Sequence, residues 1–185
     1  MKLNIATLLT LSRIVFIPVI VFLFIFDNGK YRDISAYVFL LALITDYLDG
    51  YVARTFNQTT AFGTFLDPVA DKLLVVITIF LLAKSFDSHI FIISSLIIIS
   101  REFLVIAIRQ RLAEVKTNIS LRVNNIGKIK TGFQMSALFF LLHSNNELAY
   151  INLHILGLLL LFIAAVLTVI SFFYYVRNAW DDILG

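Results

Sequence analysis

The sequence contains no cysteine and few charged residues, and long apolar segments take up most of its length. Of its 185 residues, 15% are charged and 60% are hydrophobic, whereas soluble domains average about a quarter charged and roughly half apolar. The lack of cysteine excludes disulfides and cysteine-ligated metal sites. Residues 1–13 lead directly into an apolar segment without a small-residue cleavage site, so we expect no signal peptide. The composition predicts an integral membrane protein.

Six apolar segments have the length and composition of membrane-spanning helices. They cover residues 8–26, 34–54, 62–83, 89–109, 126–142 and 153–176. Most of them approach the ~20 residues that a helix needs to cross the hydrocarbon core. We find no soluble domain and no internal repeat. The sequence therefore predicts an all-α integral membrane protein with a single domain over residues 1–185, a six-transmembrane-helix bundle with a short N-terminal interfacial segment.

The distribution of lysine and arginine predicts the orientation of this bundle. The connection 143–152 contains no basic residue. The connection 110–125 and its flanks contain six: Arg109, Arg111, Lys116, Arg122, Lys128 and Lys130. Because cytoplasmic loops are enriched in basic residues, we expect this connection, and with six spans both termini, to be cytoplasmic. The expected location is a bacterial-type plasma membrane, crossed several times.

Two of the apolar segments contain a third of the acidic residues of the chain. The four acids are Asp46, Asp49, Asp67 and Asp71, in the pattern D-x2-D-G-x2-A-R-x8-G-x3-D-x3-D. An unpaired carboxylate within a bilayer costs on the order of 3 kcal/mol on insertion scales. Helical spacing places each pair on one face of its helix, and a short turn joins the two helices. The carboxylates are therefore expected to converge near the cytoplasmic surface around a bound cation.

Carboxylate oxygens suit Mg²⁺ or Mn²⁺ rather than zinc, and four of them are enough to hold two such ions. The small residues Gly50, Ala53 and Gly63 allow a ligand or a neighbouring helix to approach the backbone closely. Arg54 can pair with phosphate oxygens, or it can simply extend to the membrane interface. Together these residues favour phosphoryl-type transfer, in which one carboxylate accepts a proton from the attacking hydroxyl. Asp71 is a candidate for that base, although the residues alone allow any of the four.

The complete pattern resembles the signature of the CDP-alcohol phosphatidyltransferases, with all eight defining positions at the family spacing. The resemblance covers essentially the whole chain. It implies a homodimer, two divalent cations and a CDP-linked lipid donor that enters from the membrane. It also implies that the four aspartates are metal ligands and that Asp71 is in addition the general base. Gly50, Arg54 and Thr60 would then contact the CDP portion.

Other segments are similar to those family members that use sn-glycerol 3-phosphate as the acceptor. These segments are NIATLLTLSRIVFIPV (4–19), LDPVADKLL (66–74), SREFLVIAIR (100–109) and GKIKT (127–131). In the first of them the resemblance places Thr10 and Arg13 towards the nucleotide. The implied reaction joins CDP-diacylglycerol and sn-glycerol 3-phosphate to give phosphatidylglycerophosphate and CMP. The expected partners are these two substrates and membrane lipids, and we expect no nucleic acid.

The basic residues of the fourth and fifth segments independently favour a phosphorylated acceptor. A phosphate dianion needs cations held near the metal site, and the available ones are Arg101, Arg109, Lys128 and Lys130. Glu102 would orient an arginine. In the alternative interpretation, Arg101 and Glu102 form a structural pair, and the lysines only set the topology or attract anionic lipids.

Three alternatives remain at the level of sequence. Another member of the same family would use an inositol phosphate or phosphatidylglycerol as its acceptor. A small ion-coupled transporter would also contain intramembrane carboxylates, but it would usually hold them near the midplane between internal repeats. A prenyl transferase would use aspartate-rich motifs and magnesium, but its motifs lack the glycine, alanine and arginine at these offsets.

Overall fold

The computed structural model describes residues 5–26, 31–55, 61–114, 125–143 and 153–184. These residues form six helices and contain no strand. The helices are α1 (Ile5–Ile25), α2 (Tyr31–Thr55), α3 (Ala61–Ala83), α4 (His89–Glu114), α5 (Asn125–Leu142) and α6 (Leu153–Leu184). Each helix contains one of the six predicted segments, except that α1 ends at Ile25, one residue before the first predicted segment does, and this confirms the all-helical class. The first residues of the predicted interfacial segment lie outside the described residues.

Helices α4 and α6 are longer than their apolar segments. The predicted segments end at Arg109 and Val176, whereas α4 continues to Glu114 and α6 to Leu184. The added residues are largely polar and charged, and the apolar pattern alone does not reveal that the helix goes on through them. Helix α3 contains Pro68 and continues past it to Ala83.

Two of the described helices are long and apolar enough to cross a membrane, namely the stretches His89–Leu112 and Leu153–Arg177. Thr10–Ile25 and Ile129–Leu142 are shorter apolar stretches. Helices α2 and α3 are interrupted by the charges of the aspartate motif itself. Large apolar side chains are exposed on the described helices, for example Phe80 of α3 at 78% and Phe173 of α6 at 66%. Exposed apolar surface on this scale fits contact with lipid rather than water, and the chain is a membrane protein.

The described chain divides into two compact units. The first contains α1, α2, α3 and the end of α5, and the second contains α4, most of α5 and most of α6. In the first unit α1 packs against both α2 and α3. Fully buried alanines, Ala36 and Ala42 on α2 and Ala70 on α3, lie in this core. Such small residues let helix backbones approach closely where no hydrophobic effect drives the association.

Arg32 joins α1, α2 and α5 within the first unit. Its side chain is buried, and it donates from Nε to the carbonyl of Leu142 at 3.2 Å and from Nη2 to that of Leu141 at 3.3 Å. Its guanidinium also lies 5.2 Å from the ring centroid of Phe24. The last carbonyls of a helix have no partner within the helix. Arg32 therefore supplies donors to the end of α5 that the helix itself cannot supply.

We expect Arg32→Gln to lower the free energy of unfolding by about 2 kcal/mol, because buried hydrogen bonds from a charged donor are lost. Thermal unfolding of the purified protein in detergent would measure this. Lys84→Gln is the control, since Lys84 is exposed, and it should leave the unfolding temperature nearly unchanged. Equal effects of the two substitutions would show that Arg32 does not hold the helix end.

Candidate active site

Three of the four motif aspartates meet around one arginine of the first helix. Arg13, on α1, approaches Asp46 of α2 with 2.7 Å between Nη1 and Oδ1. It also approaches Asp67 of α3, with 3.2 Å between Nη2 and Oδ1. The same Nη1 donates a hydrogen bond to Oδ1 of Asp71, also on α3. A single guanidinium thus holds carboxylates from two other helices, and we call these four residues the Arg13 cluster.

Thr10 is a second residue of α1 that contacts the acids of this cluster. Its Oγ1 donates to Oδ1 of Asp67 at 2.5 Å. Thr10 and Arg13 are three residues apart, so one face of α1 presents both to the acids. Asp67 and Asp71 are four apart and share a face of α3 in the same way. The spacing of the residues along each helix explains the cluster once the three helices are packed together.

The arginine and the acids differ sharply in exposure. The side chain of Arg13 is 1% exposed, whereas those of Asp46, Asp67 and Asp71 are 47%, 41% and 40% exposed. A buried guanidinium must be paired to offset its desolvation, and the three carboxylates serve that purpose. The acids themselves remain accessible to a ligand. Three carboxylates share one guanidinium, so the described group keeps an excess of negative charge.

The donor set of this group fits a hard divalent cation. It consists of carboxylate oxygens, which Mg²⁺ and Mn²⁺ prefer. In the described part of the chain, however, no three acidic or histidine side chains are arranged to hold an ion directly. The acids are gathered around Arg13 instead. The side chain of the fourth acid, Asp49, lies outside the described residues, although its backbone is part of α2.

The other residues predicted around the diphosphate are described only in part. Gly63 is buried in the first turn of α3. Gly50, Ala53 and Arg54 belong to the last turns of α2, but their side-chain surroundings are outside the description. Thr60 lies outside the described residues altogether. The predicted contacts of these residues with CDP stay predictions.

A second charged cluster lies in the second unit, around Glu102 of α4. Its Oε1 accepts from Nζ of Lys130 on α5 at 2.5 Å and from Nη1 of Arg101 at 3.2 Å. Nη2 of Arg101 donates to Oγ of Ser171 on α6 at 3.2 Å. The side chains of Arg101 and Lys130 are 14% and 6% exposed. We call these four residues the Glu102 cluster; it brings together two of the four cations predicted for an acceptor phosphate.

The remaining two predicted cations are not among the described contacts of this cluster. Arg109 is exposed near the end of α4. Lys128 belongs to α5, with its side chain outside the described residues. Ser171, in contrast, was not predicted from the sequence, where it is one serine in a long apolar helix. A polar residue that far inside an apolar segment is the only signal that could have indicated it.

The CDP-alcohol phosphatidyltransferase family model matches residues 3–175. The chain belongs to the CDP-alcohol phosphatidyltransferase family. Its members in general depend on divalent metal ions. The match covers both units and includes every residue of the Arg13 and Glu102 clusters. Membership of this family favours a phosphatidyltransferase over the transporter and over the prenyl transferase.

Several curated relatives are similar over their whole length. The chain is 44% identical over 185 residues to a protein of Wigglesworthia glossinidia brevipalpis. The aligned region covers 99% of this chain and 98% of the relative. It is 42% identical to one of Salmonella choleraesuis (strain SC-B67) and 40% to one of Yersinia pestis (strain Pestoides F), each over 100% of this chain and 99% of the relative. All three are named CDP-diacylglycerol–glycerol-3-phosphate 3-phosphatidyltransferase.

A double-mutant cycle would measure how strongly Glu102 and Lys130 depend on each other. Glu102→Gln and Lys130→Gln should each destabilise the protein, because each leaves a partly buried charge without its partner. The double variant should lose less than the sum of the two, with a coupling of about 1–2 kcal/mol. Chemical denaturation in detergent measures the three changes. Additive losses would mean that the pair is not coupled.

Proposed function

We propose that this protein transfers the phosphatidyl group of CDP-diacylglycerol to sn-glycerol 3-phosphate, giving phosphatidylglycerophosphate and CMP. The observation that carries the proposal is the 40–44% identity, over the full chain, to relatives named for this reaction. The accessible carboxylates of the Arg13 cluster agree with it, since they provide oxygen donors for the cations that a diphosphate donor requires.

In the proposed reaction the acceptor hydroxyl oxygen attacks the β-phosphorus of the donor. A bond forms between that oxygen and phosphorus, and the bond from phosphorus to the bridging oxygen breaks, so that CMP leaves with the electron pair. The carboxylate of Asp71 takes the hydroxyl proton. Its contact with Arg13 uses Oδ1, and a carboxylate has a second oxygen that can accept a proton. The exposure of Asp71 supports this role.

Asp46, Asp49, Asp67 and Asp71 are the proposed ligands of two divalent cations, Mg²⁺ or Mn²⁺. Such ions, when bound, neutralise the diphosphate and stabilise the leaving group. Gly50, Arg54 and Thr60 are proposed to hold the CDP portion, with Thr10 and Arg13 facing the nucleotide. Ala53 and Gly63 would leave room for the ligand next to the backbone.

The acceptor phosphate is proposed to bind to the cations of the second unit. Arg101 and Lys130 are held together by one carboxylate, and a pre-organised pair of cations is suited to a phosphate dianion. Arg109 and Lys128 would assist. A neutral acceptor would need fewer cations, so this arrangement favours glycerol 3-phosphate over uncharged alcohols.

The proposed setting is a single domain in a bacterial-type plasma membrane. All six helices would cross the bilayer, with both termini and the active site at the cytoplasmic face. The basic connection between α4 and α5 supports this orientation, and the exposed apolar side chains support contact with lipid. We further propose that the protein acts as a homodimer.

The reaction is tested by incubating the purified protein with CDP-diacylglycerol and Mg²⁺ or Mn²⁺ and following CMP release. Glycerol 3-phosphate, inositol 1-phosphate, serine and phosphatidylglycerol are compared as acceptors. CMP should be released only with glycerol 3-phosphate, and Asp71→Asn should lower the turnover by at least about 100-fold, as expected for loss of a general base. Release with another acceptor would reject the proposed substrate, and an active Asp71→Asn would reject the base.

Lys130→Gln separates acceptor binding from donor binding. We expect the KM for glycerol 3-phosphate to rise about tenfold, the loss expected for one charge-assisted contact. The KM for CDP-diacylglycerol should change little, since the donor is held by the first unit. Arg177→Gln, which removes an exposed positive charge from α6, is the matched control. Equal rises in both KM values would place Lys130 outside the acceptor site.

A further inference from the structure

We infer that Arg13 is a positioning residue that holds the motif carboxylates in place and exchanges with divalent cations for the same oxygens. This inference rests on the proposed use of metal ions by the aspartates. It assigns to α1 a role in metal binding beyond contact with the nucleotide.

The position of the guanidinium is the first argument. Nη1 of Arg13 contacts Oδ1 of Asp46 and Oδ1 of Asp71, which belong to different helices. Each of these oxygens has a further lone pair, so a hydrogen bond alone does not exclude a metal ion. A divalent ion about 2.1 Å from these oxygens would, however, lie beside the positive charge of the guanidinium, and the two cations repel each other. Binding an ion at these atoms therefore favours withdrawal of Arg13.

The exposure of the four side chains is the second argument. Arg13 is almost fully buried, whereas each of its three acids is at least 40% exposed. An ion arriving from the surroundings reaches the carboxylates without first passing the arginine. The guanidinium thus competes with incoming ions from within the protein, and it does not block their access.

Charge is the third argument. Carboxylates from two helices repel one another when no cation lies between them, and the repulsion is strong in a medium of low dielectric constant. Arg13 offsets part of this repulsion and keeps Asp46 close to Asp67 and Asp71. Two divalent ions would balance the four motif acids by themselves. The guanidinium is then no longer needed by the acids, and it becomes available to the anionic diphosphate of the donor.

The hydrogen bond from Thr10 to Asp67 gives α1 a fixed point during this exchange. It joins α1 to α3 through a neutral hydroxyl. A hydroxyl can donate to a carboxylate that also binds a metal ion. We therefore expect α1 to stay in place while the side chain of Arg13 changes its partners.

The test is a calorimetric titration of Mn²⁺ into the purified full-length protein in detergent, without donor or acceptor. The variants are Arg13→Gln, Arg13→Lys and the control Arg32→Gln, which removes another buried arginine of the first unit. Arg13→Gln should bind Mn²⁺ about tenfold more tightly, the factor for the loss of roughly one competing charge-assisted contact. The Mn²⁺ affinity of Arg13→Lys should lie between those of the wild type and Arg13→Gln, since an ammonium retains the charge but not the fork geometry of the guanidinium. Arg32→Gln should leave the Mn²⁺ affinity unchanged.

Thermal unfolding supplies the second readout. Arg13→Gln should lower the unfolding temperature although it strengthens Mn²⁺ binding. In EDTA, Arg13→Gln should unfold at a lower temperature than the wild type, and saturating Mn²⁺ should remove most of that difference. A residue with a purely structural role would lower the unfolding temperature without tightening metal binding. If Arg13→Gln cannot be purified in a folded state, the comparison of Arg13→Lys with the wild type decides the question.

Equal or weaker Mn²⁺ binding by the Arg13 variants would overturn the inference, as would a wild-type protein that binds no Mn²⁺. None of these measurements includes an acceptor. Failure of the glycerol 3-phosphate assignment would appear only in the comparison of acceptors and would leave this result unaffected.

Discussion

A buried positive charge sets the constraint on which the first unit depends. Arg13 is almost completely removed from solvent, and a charge in such a place is tolerated only when it is paired. Its partners are Asp46 of α2 and Asp67 and Asp71 of α3. The pairing therefore fixes the register of α1 against both helices. The same contacts bring together three of the acids that are proposed to bind cations.

The same constraint recurs at two other places, around Glu102 and around Arg32. Lys130 and Arg101 share the carboxylate of Glu102, and Arg32 donates to the carbonyls at the end of α5. In each case polar groups join helices whose surfaces are otherwise apolar. Apolar side chains contribute little to the specificity of helix association in a membrane, because lipid is an equally apolar environment for them. Polar contacts of this kind therefore select one packing among several of similar apolar area.

The carboxylates of the Arg13 cluster have both a structural role and a proposed chemical role. As partners of Arg13 they stabilise the unit, and as accessible oxygens they are suited to bind cations. Asp46→Asn would thus weaken the contact with Arg13 as well as the proposed metal binding. The Glu102 cluster separates the two demands more clearly, since Glu102 itself is not a proposed ligand of either substrate. Its contribution is to keep two positive charges close to each other.

The sequence by itself determined the helices, the membrane class and the four motif aspartates, because these follow from apolar run length and from fixed spacing along single helices. It also indicated the family through the eight motif positions, and Arg101, Lys130, Thr10 and Arg13 as residues of interest. Only the tertiary structure decided what those residues contact. The pairing of Arg13 with three acids, and the addition of Ser171 to the Glu102 cluster, join residues from different helices. Spacing along one helix cannot specify which face of another helix it meets, since that depends on the packing of the whole unit.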